Sequence, residues 1–341
     1  MTKEFLATYI HHLDPFAIQF TETFGVRWYG LAYVAGFLAA FLLLRWFVKL
    51  GACELKKEQV ADFITIVAVL GVMIGGRLGY MLLYDFAQFS KNPLIFFNFM
   101  GGGMASHGGF AGVVVACWIY ARYTKKSWIG LGDNLVTVAP VGIFFGRIAN
   151  FVNGELYGRP SNGPFAMKFP DELTDRSVFP IDKLMDLADR GSEVAPGLIQ
   201  KANDAVAYAA SQNLLPNGFV ARLLTETSWE NPAFREILGT ALTPRHPSQL
   251  YEALTEGLLL FLILLAVRLR WKNLYHGILT GLFFVLYPIG RIAVENFREP
   301  DSGMIGALTK GQFYSVFMIV MGLGFFVYAF VAKRRNELPT G

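Results

Sequence analysis

Gly146-Arg147-Ile148-Ala149-Asn150-Phe151-Val152-Asn153-Gly154-Glu155-Leu156-Tyr157-Gly158 closes a strongly apolar run, Leu135 to Phe145, with a burst of polar side chains. An ionisable group at membrane depth costs on the order of 2.5–3.5 kcal/mol even on the gentler insertion scales, so its default meaning is a buried site with a partner. A lone Arg at a helix end also reads as a side chain snorkelling toward headgroups. Arg147 is not alone: Asn150, Asn153 and Glu155 follow within eight residues.

Composition extends the point to the whole chain. Its 341 residues are 54% hydrophobic and 16% charged, with a mean hydropathy of +0.41, which excludes an ordinary soluble domain. The net charge of +4 is small, and Lys and Arg sit in short clusters between apolar runs. That pattern argues for membrane topology and against nucleic acid. Two cysteines, Cys53 and Cys117, are too few for a disulfide framework and lack metal-ligand spacing.

The fold class expected is an all-α polytopic membrane protein with about seven spans. The runs Tyr29 to Phe47, Phe63 to Tyr84, Gly108 to Tyr123, Leu135 to Asn150, Leu250 to Val267, Gly277 to Val294 and Phe313 to Ala332 suit a bilayer about 30 Å thick. Phe151 to Arg245 is polar and rich in Pro, Gly, Asn and Asp, so it cannot span. The expected organisation is spans one to four in residues 1–150, an external head in 151–245, and spans five to seven with a tail in 246–341. Inside the head, Leu198, Ala202, Ala205, Val206 and Ala209 recur at helical spacing within Val194 to Gln212. Met1 to Gln19 carries Glu4 and Asp14 and no basic start before a small-residue cleavage site, so no removable signal peptide is expected.

Basic residues predict the orientation. Arg45, Lys49, Lys56 and Lys57 follow span one, Arg122, Lys125 and Lys126 span three, Arg268, Arg270 and Lys272 span five, and Lys333, Arg334 and Arg335 the last span. All fall on one side, the cytoplasmic one, with the N-terminus outside and the C-terminus inside. Tyr29, the Gly101-Gly102-Gly103 loop with His107, Arg147, Asn150, Asn153, Glu155, His246, Tyr287, Arg291, Glu295 and Arg298 are then all expected near the outer leaflet. Tyr287, Arg291, Glu295 and Arg298 fall within an arc of about 80° at about 100° per residue, one helix face with two guanidiniums flanking a carboxylate.

Such a face is an anion clamp, and the commonest anion at that depth is a phospholipid headgroup. His107 is the well-placed group whose ordinary pKa, about 6.5, suits proton transfer. It equally suits an interhelical hydrogen bonder. His246-Pro247-Ser248 also reads as a helix start, Glu295 as an orienter for Arg291, Glu252 as a supporting acid and Asp133 as a loop or cap acid. His11, His12 and His276 carry no visible signal.

These blocks resemble the prolipoprotein diacylglyceryl transferase family. Gly146 to Gly158 is similar to that family's full signature, and His107-Gly108-Gly109, Arg245-His246-Pro247-Ser248-Gln249-Leu250-Tyr251-Glu252 and Tyr287 through Phe297-Arg298-Glu299-Pro300-Asp301 match further blocks in order. Asp171 to Thr243 departs: it is longer than the family's external head and matches nothing familiar.

The resemblance implies transfer of the diacylglyceryl group of phosphatidylglycerol to the thiol of the lipobox cysteine in a prolipoprotein signal peptide, with release of glycerol phosphate. It implies a bacterial inner-membrane enzyme, expected to be a monomer, with no cofactor, no metal and no nucleic-acid partner. His107, Arg147 and Arg291 are the expected catalytic residues. Tyr29, Asn150, Asn153, Glu155, Gly158, Tyr287, Glu295, Arg298 and His246 are expected to bind substrate. The competing reading is a lipid or anion transporter using the same Arg-lined cavity, which would want polar residues through the inner half; Arg77 is the main one there.

Overall fold

A computed structural model of the chain describes residues 9–21, 25–98, 102–299, 304–305 and 308–335. Gly101 of the glycine loop, Pro300 and Asp301 of the last motif block, and Glu4 lie outside the described residues. The chain opens with a hairpin, β1 (Phe16–Gln19) against β2 (Gly25–Arg27), which runs directly into α1 (Trp28–Lys49). Then come α2 (Gln59–Leu83), α3 (Ser106–Thr124) and α4 (Trp128–Asn153). Four shorter helices follow: α5 (Ile181–Gly191), α6 (Leu198–Ser211), α7 (Asn217–Glu230) and α8 (Pro232–Ala241). The chain ends with α9 (Ser248–Arg270), α10 (Ile278–Glu295) and α11 (Lys310–Ala332).

Among the described residues, six helices are long and apolar enough to cross a membrane: α1, α2, α4, α9, α10 and the Gly311–Ala332 stretch of α11. The segment expected as the third span folds as α3, 19 residues long. Ser106, His107, Arg122 and Thr124 dilute its apolar content, and it is not among the six.

The chain divides into two compact units. The first comprises Met1–Ala32, Gly146–Ala253 and Ile292–Lys310, and the second Tyr33–Phe145, Leu254–Arg291 and Gly311–Gly341. In the first, α5 to α8 enclose a core of Phe179, Leu184, Leu198, Val220, Leu224, Phe234 and Leu238. The expected amphipathic helix is α6, with Leu198, Ala202 and Ala209 buried; α5 beside it buries Leu184, Leu187, Ala188 and Gly191, an apolar face of equally regular helical spacing.

In the second unit, Leu44, Phe47, Leu55, Phe63 and Leu131 form a core that also buries Cys53 and Cys117. Burial pushes the Cys53 thiol, in the link between α1 and α2, up to about 11. α2 and α3 meet through glycines: a Cβ on Gly75 would lie 2.8 Å from the Gly112 Cα, and one on Gly71 2.9 Å from the Val113 Cα. This close approach is how helices pack where hydrocarbon gives no hydrophobic drive.

The buried charges of the second unit are answered locally. Asp133 of α4 accepts from the backbone N–H groups of Gly277 and Thr280, at 2.7 and 2.8 Å, and from the Thr280 hydroxyl. It therefore caps α10 from a neighbouring helix, the cap-acid role expected of it. Arg268, counted among the cytoplasmic cations, is instead buried and donates to the carbonyls of Ala52 and Asp133 and to Asn134 Oδ1.

Gly112→Leu is expected to force α2 and α3 apart at a cost of roughly 1–3 kcal/mol. The melting temperature of the purified protein in detergent reads this directly, and an unchanged value would mean that the two helices have room to spare.

Candidate active site

The first unit gathers Arg147, Arg298 and Glu252. Glu252 has no solvent exposure, and each of its oxygens faces one guanidinium: Oε1 is 2.5 Å from Arg298 Nη1 and Oε2 3.2 Å from Arg147 Nη1. Arg298 is itself buried, while a fifth of the Arg147 side chain remains accessible. One buried carboxylate thus holds two guanidinium forks in place, and a fork kept in a region poor in water binds an anion far more strongly than it would in bulk solvent.

The signature stretch supplies the neighbouring scaffold. Asn150 and Asn153 both donate to Glu155 Oε1, at 2.8 and 3.3 Å. Gln249 donates to the Glu155 carbonyl and Ser248 to that of Leu156. Gly154 and Leu156 both hold positive φ, +73° and +56°, which turns the chain sharply after α4. Gly158 fills a different need from headgroup shaping alone: a Cβ there would lie 2.9 Å from the His246 Cβ, and its N–H donates to the His246 carbonyl. Only glycine lets these two strands of backbone approach so closely.

His246 is half-buried, its Nδ1 3.3 Å from the Tyr251 hydroxyl and its ring edge-on to Phe297. Burial lowers its pKa, and it packs and hydrogen-bonds at the start of α9. Its neighbour Arg245 forms a buried ion pair with Glu172 and a second with the exposed Glu299, and stacks over Tyr157. Glu172 sits in the segment Asp171 to Thr243, which is thereby tied into the first unit by charge as well as by packing. Burial, reinforced by Glu155, raises the Asp171 carboxyl to about 6. Tyr29 is half-buried in the first turn of α1, and Glu295 accepts from the Thr309 hydroxyl at 2.8 Å.

The second unit holds the remaining candidates. Arg291 Nη1 is 3.9 Å from Oε1 of the fully buried Glu256. His107 is exposed in the first turn of α3, its ring 6.2 Å from that of Tyr314. Tyr287 stacks on Phe283, with centroids 5.6 Å apart and planes at 13°. Arg77 is buried, and its five N–H groups go to backbone carbonyls.

The acids are the least legible of these residues in the sequence. Glu256 is not singled out there, and Glu252 reads only as support. Their signal is two carboxylates one helical turn apart in the otherwise apolar run Leu250 to Val267. His11, silent in the sequence, also has a place: its Nε2 lies 3.0 Å from the Val152 carbonyl and its ring packs on Phe151 and Phe169, which fixes the end of α4. Among the described residues, no group of three or more His, Cys, Asp or Glu side chains is arranged to hold a metal ion.

Glu252→Gln removes the charge that separates two guanidiniums and should lower stability by roughly 3–5 kcal/mol, the usual penalty for orphaning buried charge. Thermal melting in detergent measures it; a melting temperature matching that of the parent would mean that Arg147 and Arg298 do not depend on this carboxylate.

Known proteins resemble this chain in sequence over nearly its full length. The model of the prolipoprotein diacylglyceryl transferase family matches residues 15–328. A phosphatidylglycerol–prolipoprotein diacylglyceryl transferase of Bdellovibrio bacteriovorus is 38% identical over 331 residues, covering 92% of each chain. Proteins of the same name from Idiomarina loihiensis and Shigella boydii are 33% and 35% identical, covering 96% and 95% of this chain and 96% of each relative.

Proposed function

The chain belongs to the prolipoprotein diacylglyceryl transferase family, and from that premise we propose that it moves the diacylglyceryl group of phosphatidylglycerol onto the sulfur of a prolipoprotein's lipobox cysteine. The thiolate attacks the glyceryl carbon that bears the phosphate, a C–S bond forms, the C–O bond breaks, and glycerol phosphate departs with the electron pair. The observation that carries the reading is the buried Glu252 held between Arg147 and Arg298, which positions a guanidinium pair, with a fifth of the Arg147 side chain still accessible, in a span-rich chain.

Arg147 and Arg291 are assigned to the phosphate, where a planar fork matches two oxygens and stabilises charge growing on the leaving group. Arg298, Glu295 and Glu252 support them. His107 takes the thiol proton: a cysteine thiol, ordinarily near pKa about 8.5, needs a base or a nearby cation to attack at neutral pH. Tyr29 and Tyr287 donate hydrogen bonds to the lipid, and Asn150, Asn153, Glu155, Gly158 and His246 shape the headgroup end. The enzyme's own Cys53 and Cys117 are buried and stand outside the reaction.

The topology that goes with this chemistry has seven spans, with α3 as the third. Spans one to four lie in residues 1–150, a periplasmic head in 151–245, and spans five to seven in 246–341. The N-terminus is outside and the C-terminus cytoplasmic, in the inner membrane of a bacterium, and the enzyme acts as a monomer. The transporter alternative finds no support: the relatives are named as transferases, and the donors of Arg77 are engaged by backbone carbonyls.

Incubating the purified protein with labelled phosphatidylglycerol and a lipobox peptide should yield a thioether-linked peptide, and its absence would reject the assignment. Arg147→Lys and Arg291→Lys should each cut transfer by about 10²-fold or more while still inserting, because an ammonium cannot reproduce the fork. Replacing both Cys53 and Cys117 with Ser should leave turnover intact.

A further inference from the structure

We infer that Arg77 is a positioning residue for His107, a deepening of the proposed function that rests on His107 acting as the base. Arg77 lies in α2, buried at 3% exposure, where a cation needs full compensation. That compensation comes from backbone carbonyls. Its Nε donates to the Phe96 carbonyl at 3.0 Å, Nη2 to those of Ile95 and Asn98 at 2.7 Å each, and Nη1 to those of Gly102 and Gly103. All five N–H donors of the guanidinium are thus spent on one connecting segment, the full inventory of the group.

That segment leads straight into the helix that carries His107. Ala105 donates its N–H to the Gly76 carbonyl at 2.9 Å, α3 starts at Ser106, and His107 is its second residue. The Gly76–Arg77 pair therefore grips the chain on both sides of Met104, within about five residues of the imidazole. Gly103 holds φ +80°, and a Cβ there would lie 2.9 Å from Arg77 Nη1 and 2.6 Å from the Tyr80 ring. The grip needs glycine on one side and a five-donor fork on the other. Because His107 is exposed and touches Tyr314 only edge-on, its own packing gives it little orientation, and the backbone beneath it has to supply the rest. Misplacing a catalytic group by about 1 Å costs on the order of 10²-fold in rate.

The test replaces Arg77 with Lys, which keeps the charge and loses the fork, and independently replaces Gly103 with Ala, which attacks the same grip from the other side. Each is measured alone and in a His107→Gln background, in the full-length purified enzyme with phosphatidylglycerol and a lipobox peptide. Expected is a kcat lower by on the order of 10²-fold with KM for phosphatidylglycerol unchanged, and no further loss when His107 is already Gln, since residues acting as a unit are not additive. The same fold loss in both backgrounds, or a parental kcat in both single variants, overturns the inference. Should Arg77→Lys fail to accumulate, Gly103→Ala decides the question alone. Full activity in His107→Gln would fell the base assignment itself, an outcome distinct from additivity.

Discussion

The structure depends on one constraint: a charge taken out of water must find compensation within reach, because the surrounding medium offers none. Glu252 meets it by facing two guanidiniums, one per oxygen. One carboxylate thereby fixes two cationic forks at once, one buried and one still partly accessible.

Other buried charges solve the problem with backbone, hydroxyl and amide partners. Asp133 is spent on the two N–H groups and the hydroxyl that begin α10. Arg268 is spent on carbonyls and an amide oxygen, and Arg77 on five carbonyls. These groups tie helices and loops together. What a buried charge does is set by its partner, and partners are distant in sequence: Arg268 and Ala52 are 216 residues apart.

That distance explains what is legible in the chain. Long apolar runs declare themselves, so each expected span has its helix, with ends shifted by a few residues where capping side chains and polar flanks extend the turn, as at Trp128–Asn153 for Leu135 to Asn150. The signature after α4 is legible too, because its polar burst contradicts its surroundings. The partner of Arg147 is not, since nothing local marks Glu252 as the acid that Arg298 and Arg147 share. In the head, α5 carries a helical period as plain as that of α6, in Leu184, Leu187, Ala188 and Gly191, whereas the packing of these helices around Phe234 and Leu224 is a property of three dimensions that no period shows. Arg77 looks like a stray cation in the sequence for want of any acid near it; backbone carbonyls, which every residue has, leave no trace in composition.

The chain's two sulfhydryls bear on the enzyme's survival. A catalyst that alkylates thiols works amid its own electrophile for its whole lifetime, and any accessible sulfhydryl on its surface would compete with the intended acceptor. Cys53 and Cys117 lie inside the apolar core, and Cys53 is held so basic that almost none of it exists as an anion at neutral pH. The protein is thereby shielded from suicide inactivation, and equally indifferent to oxidants that would scavenge an exposed sulfhydryl.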